Sequence, residues 1–487
     1  MRSFAILIIP FVLACQILSS APADSAESTQ KLAEDAYLYG LQQVIFYETR
    51  FNYTQNEGSA VYEGINRWNV VNDGKPIDAS FRSIVTPNAT TAYAIGFFDL
   101  STEPVVVEMP QVEDRYFSLQ IMDPYGIFWL YAGNQFNGTK ARSYLIVPED
   151  YDGAIPPEFV TTDVIRVPSR TLCGIIRYAR QDSANPAEQG LINGLFAGST
   201  ITPLGQWVAN DSRGMSREDL SIVPGSYPTF PRQRELTTAQ VDKQTAENFF
   251  TLLSLVLNDP STTPIVDSEM ESAMLNRLET IGVGKGLDFD WSKLDRNTQE
   301  VLTAGFKAGR AHVKESGMKN LIDMNGWGTI ENTGGFATNW LARAIMADFG
   351  WLGPDRNISH GAAFAFTDAD GVPLDGKHDY TITFDLKDLP PVTQFWELPI
   401  YDAEGYFVEN EIDRFSINSF DLEKGQLHVA DDKLVLYVQH EKPTDPNELK
   451  NWLPAPPERF RFTPRFYGPR YSLIDGTYAM PQVVRKK

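Results

Sequence analysis

Two aspartates look like a pair of carboxylates for acid–base work. Asp123 stands in Leu119-x-Ile121-x-Asp123-x-x-Gly126-x-Phe128, and Asp402 stands in Leu398-x-Ile400-x-Asp402-x-x-Gly405-x-Phe407, the same pattern in the other half of the chain. Paired carboxylates can exchange protons with a substrate. More simply, an aspartate that opens Asp-Pro-Tyr-Gly or Asp-Ala-Glu-Gly bonds the backbone two residues on in a type I turn. Asn88, Thr91 and Tyr93 form a polar cluster at a strand entry, and Asp114, Arg115 and Gln120 lie near the first copy of the pattern. Side chains alternating inward at the mouth of a β-domain can converge on a ligand. In that case Arg115 binds an anion, Tyr93 or Asp123 moves a proton, Asn88 orients the substrate, and Thr91 and Gln120 add polar contacts. Otherwise Arg115 and Asp114 form a surface pair beside a capped turn.

Tyr401, Asn410, Arg414 and Ser416 come after the second copy. Arg414 could hold an anionic group with two parallel N–H bonds. Arg459, Arg461, Arg465 and Arg470 add cations, and Arg465 beside Tyr467 is the best placed of them for a sulfate, phosphate or carboxylate. The alternation of Arg459 and Arg461 with Phe460 and Phe462 fits a solvated strand face more readily. Trp340, Trp396 and Trp452 could stack on sugars, although tryptophan beside Leu and Pro is more often core.

Much chemistry is disfavoured. The five histidines form neither His-x-His nor His-Glu-x-x-His, so no metal is expected. Asp368, Asp370 and Asp375 miss the calcium-loop spacing. There is no Gly-x-Ser-x-Gly elbow, and Gly282-Val-Gly284-Lys285-Gly286 lacks phosphate-loop spacing, so no cofactor is expected. The net charge of −21 argues against nucleic acid and anionic lipid as partners.

Residues 1–23 read as an export signal: Arg2, an apolar stretch at 4–13, then Ala21-Pro22-Ala23. That stretch is shorter than the roughly 20 residues of a membrane-spanning helix. A secreted or periplasmic protein is expected, with a lipoprotein alternative at Val12-Leu13-Ala14-Cys15. Cleavage would leave Cys173 alone, as a small buried apolar residue. Asn-x-Ser/Thr sequons occur at Asn52, Asn88, Asn137, Asn210 and Asn357, and a glycan on Asn88 would remove it from any pocket.

The elements that must hold these residues emerge from periodicity. Residues 27–51 have helical spacing, and 61–179 read as strands and turns. Residues 183–234 look like a long connection. Helices are expected from Thr238, as a cap, to 257, and over 267–280, 297–316 and 338–349, with strands again from 358. Both copies of the repeated pattern should be hairpins completed by an aromatic strand. The expected fold is α+β and β-dominated: two jelly-roll or β-sandwich-like domains at 27–182 and 351–487, joined by a connection and helices at 183–350.

Thr86-Pro87-Asn88 leading to Tyr93, then Asp114-Arg115-Tyr116, resembles the N-terminal half of a mostly bacterial two-domain family. Asn339-Trp340-Leu341-x-Arg343-Ala344, Leu389-Pro390-Pro391-Val392, Phe395-Trp396, Tyr401-Asp402, the 451–456 run Asn-Trp-Leu-Pro-Ala-Pro, and Asp475-Gly476 resemble its C-terminal half. The family pairs domains of unknown function 1254 and 1214. The resemblance covers most of the mature chain and implies a β-rich domain, a helical section and a jelly-roll-like domain. It implies no established reaction, although an alkylsulfatase label is sometimes attached to members. The family usually reads Thr-Pro-Asn-x-Asp-Thr-x-Tyr-Ser, whereas this chain has Thr90 and Ala94 at the acidic and serine positions.

Three functions remain open: an exported hydrolase of small polar or anionic substrates, a non-catalytic binder of glycans or other ligands, and a structural surface protein that assembles as a homo-oligomer. A buried convergent polar cluster marks the first, an exposed row of aromatics the second, and an exposed apolar face the third.

Overall fold

The computed structural model describes residues 23–182, 185–228, 243–264 and 268–486. All but the last residue of the expected export signal, together with Cys15 and Thr238, lies outside these residues. Helix α1 (Ala23–Thr54) is buried on nearly every side. Leu32, Leu38, Leu41, Val44 and Ile45 all lie in one core cluster with residues of the later helices.

The N-terminal strands are β1 (Asn69–Val70), β2 (Thr91–Asp99), β3 (Val105–Met109), β4 (Phe117–Met122), β5 (Phe128–Gly133), β6 (Arg142–Pro148), β7 (Val164–Val167) and β8 (Thr171–Ala179). They form one antiparallel sheet in the order β1-β2-β8-β4-β5, and a second in the order β7-β6-β3. The expected long connection is only partly irregular. It contains α2 (Pro186–Ala197), β9 (Thr200–Pro203), which extends the second sheet beside β3, and α3 (Leu204–Ala209). Weak periodicity hid these because each is short: α2 and α3 bury only one face, and β9 is a four-residue edge strand beside β3. Phe98, Leu119, Leu172 and Ile176 from the first sheet and Val105, Val107 and Ile146 from the second share one core.

Helices α4 (Ala246–Asn258), α5 (Ser268–Glu279), α6 (Arg296–Lys319) and α7 (Trp340–Gly350) come next, with a small ribbon of β10 (Leu321–Asp323) and β11 (Gly328–Ile330) before α7. Thr245 caps α4, its hydroxyl accepting from Asn248 N at 3.2 Å. Helix α6 crosses α1 at glycines: a methyl on Gly305 would stand 2.3 Å from the carbonyl oxygen of Gln30, and one on Gly309 would stand 2.6 Å from Tyr37 Cβ. Because backbone cannot move aside as a side-chain end can, Gly305→Ala should destabilise the protein by ~1–3 kcal/mol in chemical denaturation.

The C-terminal strands are β12 (His360–Ala362), β13 (Tyr380–Asp385), β14 (Val392–Asp402), β15 (Ser416–Asn418), β16 (Lys433–Gln439), β17 (Trp452–Pro454), β18 (Phe460–Phe462), β19 (Arg465–Pro469) and β20 (Val484–Arg485). One sheet runs β12-β19-β14-β15, with β18 also on β14, and the other runs β17-β16-β13-β20. Trp396, Leu398, Ile400 and Phe462 of the first sheet pack with Ile382, Phe384, Leu434 and Leu436 of the second. The chain is thus a mixed α+β protein of β-rich character.

The two copies of the repeated pattern both occupy buried strands that end in the same turn. Asp123 Oδ1 accepts from Tyr125 N at 2.9 Å and Ile127 N at 3.0 Å; Asp402 Oδ1 accepts from Gly405 N and Tyr406 N, both at 2.8 Å. Gly126 and Gly405 supply the left-handed backbone, at φ +77° and +96°. Beyond the turn the two copies diverge. β5 returns at once beside β4, but after Asp402 no strand forms until β15, so the second copy is not a tight hairpin with an aromatic return strand.

Candidate functional site

Along β2 and β8 the side chains alternate between two environments, as the pleat requires. Ala94, Phe98, Leu172 and Ile176 face the core between the N-terminal sheets; Tyr93, Ile95, Phe97, Cys173 and Ile175 face the other way. Arg177 is paired with Tyr93 across the ladder, and Ile175 with Ile95. In the C-terminal sheet two alternate rungs, on the same face, carry His360–Tyr467–Phe395 and Ala362–Arg465–Glu397. Tyr93, Arg177, His360 and Arg465, together with Asn88 of the segment before β2, line one cavity of about 830 Å³.

Two cations define its polar end. Arg177 is only 5% exposed. Its guanidinium donates to Gln120 Oε1 and, at 3.0 Å, to the carbonyl of Leu352; both acceptors are neutral. Among the described residues no carboxylate forms an ion pair with it. Arg465 donates to Tyr401 Oη at 2.8 Å, to Thr463 O at 2.9 Å and to the carbonyl of Thr86. Thr86 and Leu352 both have left-handed backbones, at φ +48° and +63°, strain that a surrounding structure must hold in place.

The rest of the cluster is densely bonded. Asn88 Nδ2 donates to Thr91 Oγ1 at 2.8 Å and to the Tyr467 hydroxyl, while Asn88 N donates to Tyr93 Oη at 3.2 Å. Tyr401 donates to Pro87 O at 2.6 Å. Glu397, fully buried, accepts from Ala89 N at 2.7 Å and from Thr90 Oγ1. Thr90 is the hydroxyl that meets this carboxylate; an aspartate there would set two carboxylates together. Burial pushes the Glu397 carboxyl above its ordinary range, against the pull of Arg465. His360 stacks on the Tyr467 ring at 4.6 Å between centroids. Burial, then the charges of Arg177 and Arg465, keep its imidazole well below its ordinary value, so it is neutral.

That neutrality has a measurable signature. An unfolded chain protonates this histidine near pH 6.5 while the folded one does not, so the stability present above that pH is lost as pH falls through it. Asp123, pushed up to about 6 by burial, and Glu397 act with the opposite sign, losing stability as pH rises through their folded values. A comparison of the native protein with His360→Gln isolates the histidine. The melting temperature of the native protein should drop more steeply from about pH 7 to 5 than that of the variant, and equal slopes would show that His360 ionises normally.

Of the residues expected from the sequence, Asn88, Tyr93 and Arg465 line the cavity, and Thr91, Gln120 and Tyr401 sit one hydrogen bond behind it. Three others lie elsewhere. Arg115 is buried against Glu188 at 2.7 Å and Asp114 at 2.9 Å, so it is neither a surface residue nor a cavity residue, and it ties α2 to the sheet. Asp123 is consumed by its turn, its second oxygen accepting from Trp129 Nε1 at 3.1 Å. Arg414 donates to the carbonyls of Lys450 at 2.9 Å and Trp452 at 2.8 Å. Arg177, His360 and Glu397 belong to no motif that marks them as functional, yet a charged residue inside an apolar strand such as 171–179 or 395–400 is itself a signal.

Asn52 and Asn88 are buried, so the folded chain cannot carry glycans there. Trp396 and Trp452 are core, and among the described residues Tyr471 is the one strongly exposed aromatic, so no aromatic row is present. The exposed aliphatic side chains are scattered from Val160 to Val484. Cys173 is buried and free, its thiol pushed up by burial. Among the described residues no group of three His, Cys, Asp or Glu could hold a metal ion, and no helix is long and apolar enough to cross a membrane.

Comparison with known proteins agrees with this architecture. A family model described as protein of unknown function (DUF1254) matches residues 68–202, and one described as protein of unknown function (DUF1214) matches residues 361–471. The chain belongs to the family that carries these two domains in that order. No curated protein matches it. Among solved structures it is similar to the VPA0106 protein from Vibrio parahaemolyticus, at 23% identity and a TM-score of 0.64, over 94% of this chain and 100% of that one. That likeness extends the shared fold to nearly the whole chain. An uncharacterized protein from Burkholderia cenocepacia aligns at 10% identity and a TM-score of 0.42, over 95% and 96% of the two chains.

Proposed function

We propose that this protein binds a small organic anion in the cavity between its N- and C-terminal sheets. Arg177 carries the proposal: a guanidinium buried at a cavity wall with only neutral acceptors has the field of a site awaiting an anion. Around the cavity five cations (Arg82, Arg177, Arg217, Lys243 and Arg465) outnumber Glu63 and Asp73, the reverse of the chain as a whole. Asn88 and Tyr93 orient the bound group. His360 lines the same wall, but burial and the charges of Arg177 and Arg465 lower its proton affinity, which makes it a weak general base and favours binding over hydrolysis. Export to the periplasm or beyond is consistent with residues 1–23.

Calorimetric titration with a panel of carboxylates and their neutral amides tests the binding. The carboxylates should bind, with affinity falling as salt rises, and the amides should not. Equal affinity for both would rule out an anion site. Turnover of carboxylic esters that falls by roughly 10²–10⁴-fold in His360→Gln would contradict the binding-only reading and make the protein a hydrolase.

A further inference from the structure

The cavity is much larger than an inorganic anion needs. Its volume of about 830 Å³ lies near the top of the roughly 300–1,000 Å³ of small-molecule sites, whereas one water takes up about 30 Å³. The cavity is also graded in polarity. On the N-terminal sheet the Tyr93–Arg177 pair gives way one rung along to Ile95–Ile175, about 7 Å away on the strand. On the opposite wall the chain runs from His360 through Ala362 to Phe364. Phe349, near the C-terminal end of α7, adds to this apolar side where the helical core reaches the cavity. Phe349 and Phe364 are only half-buried, which leaves apolar surface facing the opening.

We infer that the ligand is an amphipathic carboxylate, with its head between Arg177 and Arg465 and a hydrocarbon body along Ile95, Ile175, Phe349 and Phe364. This rests on the anion site proposed above. A short acid or inorganic ion would fill the polar end and leave the apolar walls wet. A longer chain gains the transfer of each methylene out of water, about fourfold in affinity per group.

The test is calorimetric titration of the full chain with hexanoate, octanoate, decanoate and inorganic sulfate, each acid below its aggregation concentration, and of Arg177→Met with the same series. Octanoate should bind about fifteenfold tighter than hexanoate, decanoate tighter again, and sulfate weakest of all. Arg177→Met should weaken all three acids by a similar factor. Equal affinities across the acids would overturn the inference and leave the anion site standing. An unchanged series in Arg177→Met would overturn both, because the tail alone would then account for binding.

Discussion

Arg177→Met lowers affinity for an organic anion by about 30- to 4,000-fold and leaves the melting temperature unchanged or higher. Both halves of this expectation come from the surroundings of that side chain. An anion that meets a buried guanidinium makes charge-assisted hydrogen bonds, and truncating one partner of such a pair costs about 2–5 kcal/mol. The same guanidinium is a buried charge compensated by Gln120, the Leu352 carbonyl and the Tyr93 ring, whose centroid is 5.9 Å away, with no carboxylate among them. Methionine has a similar length, removes that charge and keeps the packing. A group kept for binding at the expense of folding should show this opposition between affinity and stability. A lower melting temperature together with unchanged affinity would make Arg177 a structural residue. Isothermal titration with hexanoate and a calorimetric melt on the same two samples decide it.

Arg50→Met should cost about 3–5 kcal/mol of stability, the largest loss expected from any single side chain here. Arg50 and Asp259 are both almost wholly buried, and their ion pair is 2.5 Å long. The Arg50 guanidinium also lies 3.5 Å above the centroid of the Tyr227 ring. Without Arg50, Asp259 keeps Ser261 as a hydrogen-bonding neighbour but becomes a charge with no cation beside it. The pair joins α1 to the turn after α4, so the loss should loosen the packing of these two helices in the helical core. Removing both partners, as Arg50→Met with Asp259→Leu, should recover much of the loss, because no charge is then left buried alone. Urea denaturation of the three variants measures this, and a single variant as stable as the native protein would contradict it.

The contrast between these two arginines marks how far the sequence could be read. Local pattern was legible: the alternation around Leu119 and Leu398 gave buried strands, and Asp-x-x-Gly gave the turns after them. Helices α6 and α7 fell close to their expected ranges because each has a strong apolar face and a capping Asp295 or Asn339. The path of the chain after the second turn was not legible, since β14 takes its partners from β15, β18 and β19, far apart in the chain. The site shows the same limit. Asn88, Tyr93 and Arg465 could be picked out by residue type, but nothing local brings Arg465 to Thr86 or Asn88 to Tyr467, contacts that span most of the chain. Arg115 stands out in the sequence because it comes directly after Asp114 in a motif, and it pairs with Asp114; its second, buried partner, Glu188, lies on a helix that weak periodicity concealed. Arg177 sits in an apolar strand whose burial could not be judged before both sheets were in place.

A crystal structure of the protein soaked with octanoate probes the binding site itself. Carboxylate density is expected within hydrogen-bonding distance of both Arg177 and Arg465, with the chain running toward Ile95 and Phe364. Carboxylate density at Arg115 or Arg414 instead, with the cavity holding only water, would contradict the proposed site.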